Sequence, residues 1–246
     1  MRVFMILIYL LIWSIPARAD FAAGMGAYEA GDFVAAREAW HPLAEAGDPR
    51  AQYWMGDLYR FGKGVAQDFK AAMGWYKQAA RQTEDGDMLR RAAYALGYMV
   101  KRGQGAPKDL DKAECLYRVA AENGYANAQF AYSRILRDKP GIDFNAFSWI
   151  ERAAKQGQDQ ALFRLGDIEV LNPGIDDAIG YMHVLLALKR GNEFAMERIA
   201  VARKRSIKEF KVREALQKAE DLAGRWRAVR EELPAILNAI PPDCWP

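Results

Sequence analysis

One block recurs along this chain and constrains its architecture more than any other feature. A helix with a small residue deep inside it leads into a Gly-rich turn, and the next helix carries Ala, an aromatic residue and Ala-Ala. The block is clearest at Ala51-Gln-Tyr-Trp-Met-Gly56, Tyr59-Arg-Phe-Gly62-Lys-Gly64-Val65 and Ala72-Met-Gly-Trp75-Tyr76-Lys-Gln-Ala79-Ala80. It returns as Ala92-Ala-Tyr-Ala-Leu-Gly97, Gly103-Gln-Gly105 and Ala113-Glu-Cys-Leu116-Tyr117-Arg-Val-Ala120-Ala121, with altered copies at 128–154 and 161–186. A period of this size predicts stacked helix pairs, each unable to bury its apolar face alone. The expected fold is all-α, one elongated array of helix pairs.

The columns of the block explain the stacking. Gly56, Gly97, Ser133, Gly166 and Ala200 share one position of the first helix. Gly inside a helix costs about 1 kcal/mol relative to Ala, so its recurrence predicts a closely approaching partner helix. The facing column is Ala72, Ala113, Ala146 and Ala178. Three residues further on, Trp75, Leu116, Trp149 and Tyr181 are placed to fill the gaps between layers, and Trp75→Ala and Gly97→Leu are expected to be severe. Asp48 before Pro49 reads as a helix cap, and Asp68, Asp109, Asp143 and Asp176 or Asp177 open the second helices. Pro140-Gly-Ile-Asp143 and Pro173-Gly-Ile-Asp176 are identical turns. The Gly56-to-Gly97 interval is longer than the others, with the excess near Gln82 to Arg91, either a tolerated loop or a binding loop. Ser206 with Glu209 reads as a capping box, opening a helix that bends near Gly224 and covers the last repeat.

Residues 1–19 read as a cleavable signal peptide. Arg2 precedes an uncharged apolar run of about thirteen residues, short of the roughly twenty that span a bilayer. Ala17-Arg18-Ala19 supplies small residues for cleavage after Ala19. This predicts a periplasmic or secreted protein divided into the signal (1–19), the repeat array (20–205) and a capping helix with its tail (206–246). Without Arg2 and Arg18, 35 basic residues drop by two against 32 acidic ones, so nothing global favours nucleic acid. Cys115 and Cys244 leave two alternatives open, a disulfide stapling the tail or two separate thiols.

These residues resemble the Sel1-like repeats, relatives of the tetratricopeptide repeat. The pattern Ala-x-x-x-Leu-Gly-x-x-Tyr-x-x-Gly-x-Gly-Val, then Lys-Ala-x-x-Trp-Tyr-x-x-Ala-Ala, is matched nearly throughout by Ala51 to Ala80 and well by Ala92 to Gly124. The resemblance implies a right-handed α/α solenoid serving as an adaptor for proteins, often in the bacterial envelope. Exported members include regulators of sensor kinases and host-contact factors. A branch linked to penicillin binding carries a regular cysteine pair in each repeat, which this chain lacks.

Few residues here can carry chemistry. His41 and His183 share a column with Lys77, Arg118 and Glu151, the pattern of an exposed position rather than a metal ligand. The Gly-x-Gly pieces follow helices and lack Gly-Lys-Ser/Thr, so they read as turns, not phosphate loops. No catalytic constellation, cofactor or metal site is expected, and the predicted role is non-catalytic. The predicted partner is a protein or peptide, with neither nucleic acid nor stable membrane insertion. The first helices should line the inner surface, where Tyr53, Trp54, Tyr94 and Phe130 are candidate anchors. Arg203, Lys204 and Arg205 form a basic cluster, either a solvated face or a docking patch for an acidic partner or polymer.

Overall fold

A computed structural model describes residues 20–81, 86–139, 144–171, 177–206, 210–225 and 241–246. The signal segment, the turns at Pro140 and Pro173, Asp143, Asp176 and Trp226 lie outside the described residues, as do the side chains of Arg203, Lys204 and Arg205. The described residues contain helices and no strand. Five pairs follow one another: α1 (Phe21–Glu29) with α2 (Phe33–Glu45), α3 (Pro49–Phe61) with α4 (Phe69–Arg81), α5 (Gly86–Arg102) with α6 (Leu110–Glu122), α7 (Ala126–Asp138) with α8 (Phe144–Lys155), and α9 (Asp159–Leu171) with α10 (Asp177–Lys189). Then come α11 (Glu193–Ser206), α12 (Phe210–Arg225) and a short 3-10 turn at Pro242–Cys244. Each helix packs on its sequence neighbours, the signature of a solenoid.

The helix starts obey the expected chemistry. The Asp48 carboxylate accepts from the backbone N–H groups of Arg50 (2.8 Å) and Ala51 (3.2 Å), with Pro49 at the first helical position. Asp68 does the same for Lys70 and Ala71, and Asp109 for Lys112. Gly64 and Gly105 have φ of +67° and +80°, and a Cβ on either would strike a backbone carbonyl, of Phe33 or Phe69 respectively. The second Gly of each turn therefore lies against the start of the preceding repeat's second helix. Gln52 and Gln129 add a tie that sequence reasoning missed. Each side-chain amide donates to a carbonyl eight residues back, Ala44 at 3.1 Å and Ala121 at 3.3 Å, where the preceding helix has run out of donors.

The small column is real, and at Gly97 the expected Ala113 does lie close, its carbonyl 3.3 Å from where a Cβ would stand, but a ring comes closer still. Gly56 lies against the Tyr76 ring and Gly97 against Tyr117, each at the position after the aromatic column read from sequence. Gly24 makes room for Trp40 in the same way, so the first unit obeys the rule too. Tyr76 and Trp40 are fully buried, whereas Trp75 is half-buried at the seam with α2, its ring near His41. Trp75 does bridge layers, but the ring one residue later fills the core. Gly166 packs instead on the Gly180 carbonyl and Val184. Ala200 is exposed, so the column ends before α11.

Other expectations are corrected at the junctions. The excess between the first two full repeats lengthens α5, which starts at Gly86 and is anchored by Asp87 pairing with Arg90 and with Arg91 at 2.7 Å. Gln82 to Asp85 lie outside the described residues. α11 runs to Ser206 and α12 continues through Gly224, while the Ser206 side chain and Glu209 lie outside the described residues. α12 packs on α10 and α11, burying Val212, Leu216, Ala219 and Ala223 in a core shared with them.

The tail turns back to the middle of the molecule. Cys244 is fully buried and disulfide-bonded to Cys115 of α6, with Cα atoms 5.5 Å apart. Lys77 donates to the backbone oxygen of Pro246 at 2.6 Å, and the Arg81 guanidinium lies 5.5 Å from the Trp245 ring.

Candidate partner-binding surface

The repeat places equivalent side chains of successive first helices side by side. Three residues before the small column stand Tyr53 on α3, Tyr94 on α5, Phe130 on α7 and Phe163 on α9. Two adjoining cavities open across α5, α7, α9 and α11. One, of about 460 Å³, is bounded by Tyr94, Tyr98, Lys101 and Arg102 of α5 and by Phe130 and Arg134 of α7. The other, of about 420 Å³, shares Phe130 and Arg134 and adds Phe163 and Arg164 of α9 and Phe194 of α11. Together they form a groove running from the second full repeat to the end of the array.

The four aromatic candidates occupy different settings. Tyr94 is half-buried in the groove wall, its ring 5.5 Å from Tyr117 and 5.2 Å from Tyr125. Burial raises its hydroxyl above the ordinary tyrosine value. Phe130 is 8% exposed and forms the floor where the two cavities meet. Tyr53 is half-buried against Tyr76, ring centres 5.5 Å apart, and lines neither cavity. Trp54 turns the other way, stacked on Trp40 at 5.5 Å and against Tyr28 at 5.0 Å, and does not line the groove. Arg203, Lys204 and Arg205 sit on the last part of α11, beyond the groove-lining Phe194.

Sequence reasoning missed Tyr98, Arg134, Phe163 and Phe194. Tyr98 and Arg134 occupy the position just after the small column, held by Asp57 in the first full repeat and Asp167 in the fourth. That column lies four residues beyond the Tyr53–Tyr94–Phe130–Phe163 column and so on the same helical face. Its variable identity was the available signal. Asp57 is turned inward, where the Tyr76 hydroxyl donates to it. Burial raises the Asp57 carboxyl above its ordinary value, and the Tyr76 hydrogen bond opposes that rise.

No catalytic geometry was identified among these described residues. Among the described residues, the one grouping with metal-ligand character, Cys115, Asp243 and Cys244, contains the two disulfide-bonded sulfurs and is thereby explained. No described helix is long and apolar enough to cross a membrane.

The Sel1 repeat pattern matches residues 49–83, 90–125 and 144–158. The chain is similar to an exopolysaccharide production negative regulator of Rhizobium meliloti (strain 1021), 31% identical over 160 residues covering 60% of each protein. It thus spans less than two thirds of that relative. It is also similar to the ERAD-associated E3 ubiquitin-protein ligase component HRD3B of Arabidopsis thaliana, 27% identical over 133 residues, or 47% of this chain and 21% of that one. Among solved structures, a Sel1 repeat protein from Oxalobacter formigenes superposes with a TM-score of 0.63 at 22% identity, covering 81% of both chains. A protective antigen of uropathogenic Escherichia coli strains with the same fold gives 0.61 at 23%, covering 82% of this chain and 45% of that one. At such identities the superpositions show the fold alone.

Proposed function

This chain is a Sel1-repeat protein, and on that footing we propose that it is a non-catalytic adaptor that binds a protein or peptide partner in its inner groove and thereby regulates an envelope process. The observation that carries this is the groove itself, which crosses the first helices of successive repeats and is walled by rings from one repeating position. Rigid aromatic side chains with part of their surface exposed are effective anchors, because little conformational entropy is lost when a partner covers them. The names of the relatives, a negative regulator and a ligase component, support a regulatory or interaction role over catalysis. Purified protein crosslinked in envelope extract should retain a partner that Tyr94→Ala or Phe194→Ser loses without a change in helical content. Unchanged capture by both variants would overturn the groove assignment.

The proposal places the protein in the periplasm or outside the cell. Two features support it. Disulfides persist in oxidising compartments, and Cys115–Cys244 is one. Asp20, the first residue after the proposed cleavage, caps α1 by accepting from the Ala22 N–H at 2.9 Å. The mature N-terminus, read by mass spectrometry on protein from the periplasm or medium, should be Asp20. A full-length N-terminus in the cytoplasm would overturn export.

A further inference from the structure

The groove has a charge that the chain as a whole does not. Five basic side chains line the two cavities, Lys101, Arg102, Arg134, Arg137 and Arg164, and among the described residues no carboxylate does. The whole sequence carries 35 basic against 32 acidic residues, so this local excess is not inherited from composition. Arg137 and Arg164 have acidic neighbours outside the groove lining, Asp138 at 3.6 Å and Asp167 at 3.8 Å. Among the described residues, no ion pair joins Lys101, Arg102 or Arg134 to a carboxylate. Positive charge is further concentrated on Tyr98, whose ring lies 4.5 Å from the Arg60 guanidinium and 4.9 Å from that of Arg102. Partial burial holds the Lys101 ammonium below its ordinary value, and Arg134 adds repulsion that Asp138 offsets only in part. Like charges facing one cavity repel each other, and an anion placed among them relieves that cost.

The other end of the groove presents two rings, which on their far side border Asp167, Glu197 and Arg198 of a smaller adjoining cavity. Phe194 is 69% exposed, and its ring stands 6.1 Å from that of Phe163 with the planes tilted by 32°. Two tilted rings make a notch rather than a flat platform, a shape that accepts an aliphatic side chain better than the face of a sugar ring. Between the two ends Gln160, which lines both cavities, offers a carboxamide that can both donate to and accept from a peptide backbone.

We propose that the occupant of the groove is an acidic peptide segment, with carboxylates at Lys101, Arg102 and Arg134 and a neighbouring aliphatic side chain between Phe163 and Phe194. The proposal rests on the adaptor reading above and adds the chemistry of its partner. Charge supplies selection and a fast encounter, and the apolar notch fixes the register of the segment.

Fluorescence anisotropy on the full chain tests it with a fluorescein-labelled peptide of three Glu followed by two Leu, and with its Gln counterpart. The Glu probe should bind roughly tenfold more tightly than the Gln probe, a difference of about 1.4 kcal/mol. High salt should erase most of the preference, and so should Arg134→Glu. Phe194→Ser should weaken both probes alike. Arg134 and Phe194 are both exposed, and unchanged thermal melts would show that the variants fold. No binding of the Glu probe, or equal binding of the two probes, overturns the acidic-peptide proposal. If Phe194→Ser still weakens the Gln probe in the latter case, the groove reading survives. If neither variant alters binding of a probe that binds, the groove reading fails as well. Displacement of the Glu probe by polygalacturonate at lower concentration than by unlabelled peptide would reassign the site to an anionic polymer.

Discussion

At Gly97 a Cβ would stand 3.1 Å from the Tyr117 ring, and at Gly56 it would stand 2.7 Å from Tyr76. These distances turn a sequence column into a packing rule, because a ring of the second helix occupies the space that a side chain of the first gives up. The rule ranks two neighbouring aromatics. Tyr76→Ala should cost about 3–5 kcal/mol, and Trp75→Ala, at a half-buried seam, should cost less. Urea melts of the two variants settle the order, and equal losses would contradict the assignment of Tyr76 to the core. Two carboxylates give the pH dependence a sign. Burial works to raise Asp48 and Asp87, but hydrogen bonds outweigh it, from Arg50 and the helix N–H groups to Asp48 and from Arg90 and Arg91 to Asp87. Both pKa values fall below the ordinary carboxylate value. Their stabilisation is present above the unfolded pKa of roughly 3.9 and is lost as pH falls through the folded values. The double variant Asp48→Asn/Asp87→Asn should therefore show a shallower loss of Tm on acidification than the native chain.

Among the elements, the tail departs furthest from the repeat. It contributes Cys244 and Trp245 to a core built otherwise from α4 to α8, and the disulfide closes a separation of 129 residues. Closing so long a loop restricts the unfolded chain, so removing the bond should cost about 2–4 kcal/mol. Cys244→Ser should lower the Tm, and reductant should lower the native Tm to about the same value while leaving the variant unchanged. A native Tm insensitive to reductant would show that the tail adds nothing to stability. Helix α12 acts differently, since it buries one apolar face against α10 and α11.

Across the whole molecule the core is divided into three sections, around α1–α3, α4–α8 with the tail, and α8–α12 with Phe130 of α7. Stability in such an array is a sum of neighbouring contacts, so local opening is expected to vary along it. The stapled middle section should hold the slowest-exchanging amides, in α5 and α6, with faster exchange in α11 and α12. Hydrogen exchange followed by mass spectrometry checks this, and reductant should narrow the contrast. The inner groove spans the boundary between the middle and last sections, with Tyr94 in one and Phe130 in the other. A partner bound across that boundary would couple the two sections.

The repeating Gly, Ala and aromatic positions determined by themselves that this chain is a stack of helix pairs, where Asp48, Asp68 and Asp109 open helices, and that Tyr94 and Phe130 share one face of the first helices. Each of these follows from local backbone geometry or from a period that one turn of helix repeats. Tertiary structure alone decided the rest. That Tyr76 rather than Trp75 fills the core depends on the angle at which two helices meet, and that Trp54 turns towards Trp40 depends on where the first unit sits. The Cys115–Cys244 bond needed the path of the returning tail. The groove's positive lining needed Lys101, Arg102 and Arg134, up to 33 residues apart in sequence, to be brought to one cavity by stacking. A linear pattern encodes which face a residue occupies, but which other faces it meets is a property of the superhelix.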